Sequence, residues 1–68
     1  MQVNQLAPNQ FWFINDGKIV FQSYKTIVCT IENGKAKITE GQPQSTTTAK
    51  HLNRFLKLHL GIDNYKNL

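Results

Sequence analysis

Two turn dipeptides constrain this chain more than any other feature of its sequence. Asp16-Gly17 separates the run Gln-Phe-Trp-Phe-Ile from Lys-Ile-Val-Phe-Gln, and Asn33-Gly34 separates Thr-Ile-Val-Cys-Thr-Ile-Glu from Lys-Ala-Lys-Ile-Thr. Both dipeptides tolerate the positive φ angles of two-residue type I′ turns, and β-branched or aromatic residues flank both. We therefore predict two β-hairpins that form one antiparallel meander. Their strands are expected near residues 10–15, 18–23, 26–32 and 35–40.

The rest of the chain predicts one helix. Gly41 and Pro43 end the strands, and the hydroxyl-bearing residues 45–48 offer side-chain oxygens that can cap a helix N-terminus. The periodic stretch that follows ends at Gly61, a residue type favoured just after a helix. The fold class is therefore α+β: a four-stranded antiparallel sheet of two hairpins with one C-terminal helix packed on one face (ββββα). The single domain covers residues 1–68, with an N-terminal arm at 1–9, hairpins at 10–40, the helix at 45–61 and a tail at 62–68.

The chain is short, and 68 residues allow only one core. Cys29 is the only cysteine, so an internal disulfide is excluded, and a lone cysteine is typical of a reducing compartment. Cys29, His51 and His59 are the only soft or borderline metal ligands, and their spacing does not fit a structural zinc site, so we expect no metal. A homodimer is the remaining way to support so small a core.

The turns fix which residues oppose each other in the second hairpin. Ile31 faces Ala36, Cys29 faces Ile38, and Ile27 is expected to continue that apolar side. The opposite, polar side is expected to hold Val28, Thr30 and Glu32 against Lys35, Lys37 and Thr39. This alternation predicts that Cys29 is a small core residue and not a nucleophile.

The first hairpin is apolar on both faces. One face carries Trp12, Ile14, Ile19 and Phe21, and the other carries Phe11, Phe13 and Val20. Because one helix covers only one side of such a sheet, something else must cover the second side. Two interpretations are open: coverage by the arm with Leu6 and the tail with Tyr65 and Leu68, or a partner or dimer surface.

The predicted helix is amphipathic and basic. Its apolar arc contains Ala49, Leu52, Phe55, Leu56, His59 and Leu60. Lys50, Arg54 and Lys57 share the opposite arc, and no acid occurs between Gly41 and Ile62. These three charges are either solvated surface or a contact surface for phosphate or carboxylate groups. His59 is expected to be a satisfied, partly buried histidine.

The sequence contains none of the patterns that mark catalysis. It lacks a nucleophile elbow and a glycine-rich phosphate loop, and its four acids are scattered, so we expect no enzymatic activity and no cofactor. The N-terminus lacks the pattern of a signal peptide, and no apolar stretch is long enough for a membrane span. These features predict a cytoplasmic protein that does not bind membranes.

Two segments resemble a known group of proteins. Ser23-Tyr-x-Thr-x-Val28, a glycine hairpin and then Thr47-Thr-x-Lys-His51 match a pattern of small proteins of unknown activity carried by bacteriophages and other mobile elements. The similarity spans about residues 20–56, and Gln42-Pro43-Gln44 replaces the aromatic-acidic segment frequent in that group. The resemblance implies a phage or mobile-element origin and suggests that a set of motif residues converges. The set is Ser23, Tyr24, Thr26, Thr48 and His51. It is either a structural corner, with Thr47 or Thr48 capping the helix, or a ligand or partner site.

The leading functional hypothesis is a protein–protein interaction module of a phage, acting in the bacterial cytoplasm on a host or phage protein. Inhibition of a host defence system, as by an anti-CRISPR protein, is one such action. The alternative is a small basic nucleic-acid-binding protein that uses Lys50, Arg54 and Lys57. The candidate sheet contacts are Phe11 and Phe13, with Tyr24 able to stack bases and Lys35 and Lys37 able to follow phosphates.

Overall fold

The structure is a computed structural model that describes residues 3–68. Five strands form one antiparallel meander in the order β1-β2-β3-β4-β5. They are followed by one α-helix and a short 3-10 helix. The elements are β1 Val3–Ala7, β2 Gln10–Asn15, β3 Lys18–Ser23, β4 Thr26–Glu32, β5 Lys35–Ile38, α1 Thr46–Leu60 and the 3-10 helix Tyr65–Asn67.

The α+β class and the two predicted hairpins are confirmed. Asp16 and Gly17 have φ angles of 52° and 76°, and Asn33 and Gly34 have 54° and 76°, which are the values that type I′ turns need. The strand pairs follow directly: Trp12 opposes Phe21 and Ile31 opposes Ala36. Strand β5 ends at Ile38, two residues earlier than predicted.

The predicted N-terminal arm is wrong where the structure describes it, because β1 pairs with β2 and widens the sheet. The arm was expected to begin at residue 1, and residues 1 and 2 lie outside the described part. Asn9 has a positive φ of 62°, a conformation that asparagine tolerates, and this allows the turn between β1 and β2. Leu6 of β1 packs against the core on the helix side.

Strand β4 contains a bulge that the sequence prediction missed. Phe21 opposes Cys29 but the next residue, Gln22, opposes Ile27, so Val28 is an extra residue on β4. Val28 is fully buried, whereas Ile27 is 38% exposed. The expectation that Ile27 continues the buried side and that Val28 lies on the polar side is therefore wrong. The backbone N–H of Thr39 donates to the Val28 carbonyl over 2.9 Å, so the bulged backbone is paired.

The helix forms where its predicted cap signals lie. Ser45 is the N-cap, and its Oγ accepts a hydrogen bond from the Thr48 N–H over 3.1 Å. Gly61 ends the helix with a left-handed φ of 71°, and its N–H bonds back to the last turn. Buried Leu52, Phe55 and Leu56 pack on the sheet, and the Phe55 ring stacks on Phe21 with centroids 5.3 Å apart.

Candidate functional site

The sheet face opposite the helix carries an apolar surface. Phe13 opposes Val3 and Val20, and the row continues through Thr30 to Lys37, so one row crosses all five strands. A shallow pocket of about 290 Å³ lies over this row and is lined by Phe13, Val20, Ile27 and Thr30 with Asn15, Asp16 and Lys18. We call this surface the open sheet face. It is defined by Val3, Phe11, Phe13, Val20 and Ile27 with the lysines 18, 35 and 37.

Within residues 3–68, the side chains that the sequence predicted to cover this face are not seen to do so. Leu6 and Tyr65 both pack against the core on the helix side, and Leu68 is half exposed. Val20 is nevertheless only 8% exposed, because its neighbours on the sheet surround it. Because of the β4 bulge, Ile27 takes the place on this face that strict alternation predicts for Val28, so the face keeps an apolar residue there.

Lysines lie at one end of the open sheet face. A second shallow pocket of about 470 Å³ is lined by Lys18, Lys35 and Lys37 with Thr30, Glu32, Asn33 and Ala36. Glu32 opposes Lys35 in the register, as predicted, yet its carboxylate lies 4.0 Å from the Lys18 ammonium. This exposed pair is weak. The face therefore changes from apolar at β1–β3 to cationic at β5.

The basic helix face differs from the prediction at one residue. Lys50, Arg54 and Lys57 are all exposed, but the Lys57 ammonium donates to the Asp63 carboxylate over 2.9 Å. The three charges are therefore not all uncompensated, because the chain turns back after Gly61 and brings an acid to Lys57. Lys66 of the 3-10 helix and Lys50 line one groove between α1 and the C-terminal tail. Lys66 thereby adds a positive charge that the sequence pattern did not indicate.

The groove lies between the first turns of α1 and the C-terminal tail. Its volume is about 710 Å³. Its lining residues are Pro43, Gln44, Ser45, Thr46, Ala49, Lys50, Asn53, Asn64, Tyr65 and Lys66. No residue lines both this groove and either pocket of the open sheet face. The molecule thus has two separate candidate binding surfaces.

The predicted motif corner is only partly assembled. The Ser23 and Thr48 hydroxyls lie 3.3 Å apart and are buried, and the Ser45 hydroxyl donates to Thr48 Oγ1 over 3.1 Å. Ser45 is the cap, so the expectation that Thr47 or Thr48 caps the helix is wrong. This hydroxyl chain joins the end of β3 to the start of α1, and no histidine is bonded to it among the described residues. Its geometry is that of a structural connection between the sheet and the helix.

Tyr24 and Thr26 do not join this corner. Tyr24 occupies the turn between β3 and β4 with a positive φ of 55° and is 62% exposed, and Thr26 is exposed too. The described hydrogen bonds of Tyr24 involve its backbone only. His51 is half-buried, and its Nδ1 is buried without a hydrogen-bond partner. Tertiary packing therefore separates residues that the sequence motif groups together.

Two titratable side chains belong to the core side. Cys29 is fully buried, and this burial raises the pKa of its thiol to about 11, so the thiolate that a nucleophile needs is disfavoured at neutral pH. His59 packs between Trp12 and Phe55, with ring centroids 4.4 Å and 4.8 Å away. Its Nε2 is buried without a hydrogen-bond partner, so the prediction of a satisfied histidine is wrong. Burial lowers the pKa of His59 below the usual 6.5.

Two features were missed from the sequence, the β4 bulge and the place of Lys66, and the first of them left a signal. The three consecutive apolar residues Ile27-Val28-Cys29 interrupt strict alternation, which is a sign of a bulge. Lys66 left no comparable signal, because its place beside Lys50 depends on the path of the tail. Within residues 3–68, no group of three or more metal-ligating side chains is placed to hold an ion.

Comparison with known proteins identifies a family but no relative of known activity. The model of a family of unknown function (DUF8033) matches residues 1–67. No curated protein and no solved structure matches the chain. None of the described helices is both long and apolar enough to pass through a membrane. Since the family model spans nearly the whole sequence, this chain belongs to the family of unknown function DUF8033.

Proposed function

We propose that this protein is a non-catalytic binding module that docks on an acidic protein surface through the open sheet face. The observation that carries the proposal is the row from Val3 through Phe13 and Val20 to Lys37. It places a partly exposed apolar surface beside Lys35 and Lys37, which form no ion pair among the described residues. Uncovered apolar surface of this kind is typical of interaction sites, and aromatic residues are enriched in interface cores.

The charge of the open sheet face indicates the type of partner that complements it. The acidic residues that line the two described pockets with Lys18, Lys35 and Lys37 are Asp16 and Glu32, and the whole chain carries a net charge of +4. A second copy of the chain supplies the same excess of lysines and few carboxylates to compensate them. An apolar surface bordered by aspartate or glutamate complements the open sheet face better, because complementary charge steers the encounter and fixes the orientation.

The resemblance to phage-carried proteins narrows the partner search to bacterial host and phage proteins. Inhibition of a host defence system, including the anti-CRISPR type, is the biological role that we propose to test first. Nucleic-acid binding through the helix alone is less well supported, because Asp63 neutralises Lys57 and leaves Lys50 and Arg54 as the described unpaired charges of that arc.

The test is a pull-down with the tagged full chain, followed by affinity measurements on the purified partner. Ile27→Asp alters an apolar residue of the docking surface and Lys37→Glu reverses one of its charges, both at exposed positions. Each is expected to weaken binding by about tenfold or more, which is the size of a hot-spot effect. Lys50→Gln with Arg54→Gln is the control on the opposite side of the molecule and is expected to change the affinity less than about twofold.

Two results contradict the proposal. One is a purified partner that binds Ile27→Asp and Lys37→Glu as tightly as the original protein. The other is a concentration-dependent homodimer that Ile27→Asp converts to a monomer, since a second copy then occupies the face. Light scattering behind size-exclusion chromatography distinguishes that outcome.

A further inference from the structure

The groove beside α1 is built by the C-terminal tail, which is fixed against the helix. The Tyr65 N–H donates to Asn53 Oδ1 over 2.7 Å, and the Lys66 N–H donates to Asn64 Oδ1 over 2.9 Å. Tyr65 also packs against the core, and Lys57 pairs with Asp63 just before the tail turn. These contacts hold the wall that carries Lys66 opposite the wall that carries Lys50.

Hydrogen-bond donors dominate the groove. The two asparagines on its walls use their carbonyl oxygens to accept backbone N–H groups, so the NH₂ groups of Asn53 and Asn64 remain as donors. Lys50 and Lys66 add two ammonium groups from different elements, and none of the residues that line the groove is acidic. A cavity with cations on both walls and spare amide donors is complementary to an anion.

We propose that this groove binds a phosphate group, carried either by a nucleotide or by a nucleic-acid strand. A phosphate monoester offers three terminal acceptor oxygens and a phosphodiester two, arranged tetrahedrally, which suits donors on two walls, whereas a carboxylate offers two oxygens in one plane. The volume of about 710 Å³ is in the range of small-ligand sites. Arg54 lies one helical turn beyond Lys50 and extends the positive surface. A nucleic-acid strand that continues beyond the groove therefore meets a further positive charge.

This inference is independent of the docking function proposed above. The groove shares no lining residue with the open sheet face, so each surface can be altered while the other is kept. The groove also revises the basic helix face that the sequence predicted. Lys50 lines the groove, Lys57 does not, and Lys66 of the 3-10 helix lines it as well.

The experiment is an NMR titration of the ¹⁵N-labelled full chain with inorganic phosphate, adenosine monophosphate and a short oligothymidylate. Acetate at equal ionic strength serves as the reference anion. Shift changes are expected at the backbone amides of the groove, with adenosine monophosphate binding at least about tenfold more tightly than acetate. Tighter binding of the oligothymidylate assigns the phosphate to a strand, and equal or weaker binding assigns it to a free nucleotide.

Matched variants test the position of the site. Lys50→Gln with Lys66→Gln is expected to weaken phosphate binding by about tenfold, whereas Lys35→Gln with Lys37→Gln removes the same charge from the opposite face and is expected to change it less than about twofold. Asn53→Asp keeps an oxygen acceptor for the Tyr65 N–H but replaces the spare donor by a carboxylate oxygen, so it is expected to weaken phosphate binding while the tail stays in place.

Three outcomes overturn the proposal. The first is an equal loss of affinity in both double variants, which means that net charge alone attracts the anion. The second is acetate binding as tight as phosphate binding. The third is the absence of groove shifts with every phosphate probe at low salt.

Discussion

At the scale of single residues, His59 links packing to pH. Its ring contacts two aromatic rings, Trp12 and Phe55, and its Nε2 is buried without a partner. A neutral ring tolerates this environment better than an imidazolium does, because burial removes the water that solvates the charge. The folded protein therefore binds a proton at His59 less readily than the unfolded chain does.

Stability is expected to fall as the pH is lowered through the ordinary histidine pKa of about 6.5. The sign follows from the lowered pKa of His59: the unfolded state takes up the proton first, so acidification favours unfolding until the folded-state pKa is also passed. Urea unfolding between about pH 7.5 and about pH 5 measures the effect, above the range in which carboxylates titrate. In the His59→Phe variant, the free energy of unfolding is expected to change less over this pH range. An unchanged pH dependence would assign the effect to another titratable group.

At the scale of elements, the β4 bulge decides what each side of the sheet presents. By inserting Val28 between the Phe21–Cys29 and Gln22–Ile27 pairs, the bulge buries Val28 and turns Ile27 to the open sheet face. The same strand thus contributes to the core and to the candidate docking surface. The apolar run Ile27-Val28-Cys29 signals an irregularity but does not specify which residue is inserted, because Ile27 and Val28 are equally good strand residues.

Two threonine substitutions, of which Val28→Thr is nearly isosteric, distinguish the bulged register from regular alternation. Val28→Thr is expected to cost about 1–3 kcal/mol, because it buries a hydroxyl at a fully buried site. Ile27→Thr is expected to cost less than about 1 kcal/mol, since the residue is partly exposed. Chemical denaturation of both variants gives the two free energies of unfolding, and the reverse order would support the unbulged register.

At the scale of the whole molecule, one layer of contacts between α1 and the sheet holds the fold together. A chain of 68 residues has a total stability of only about 3–10 kcal/mol. Phe55 is fully buried and stacks on Phe21, so it joins the helix to the central strand of the sheet.

Phe55→Ala is therefore expected to cost about 3–5 kcal/mol, which is enough to unfold much of the protein at room temperature. Leu58→Ala in the same helix is the control and is expected to cost less than about 1 kcal/mol, because Leu58 is 59% exposed. Thermal melts followed by circular dichroism measure both, and a fully folded Phe55→Ala protein at elevated temperature would contradict a single shared core.

The sequence by itself determined the four strands after residue 9, both type I′ turns, and the helix with its glycine end. These features depend on local chemistry: positive φ at Asn-Gly and Asp-Gly, alternation in strands, and side-chain caps. It also determined the buried helix side, because Leu52, Phe55 and Leu56 recur at helical spacing. The candidate lysines and aromatics were identified from the same periodicities.

Only the tertiary structure decided the rest, because those features depend on contacts that the local pattern of residues does not specify. Strand β1 gains its pairing from β2, the Val28 carbonyl is satisfied by Thr39, and Thr48 bonds Ser23 across 25 residues. The return of the tail pairs Lys57 with Asp63 and places Lys66 beside Lys50. The charges of an isolated helix therefore did not define the basic groove, which required the folded tail.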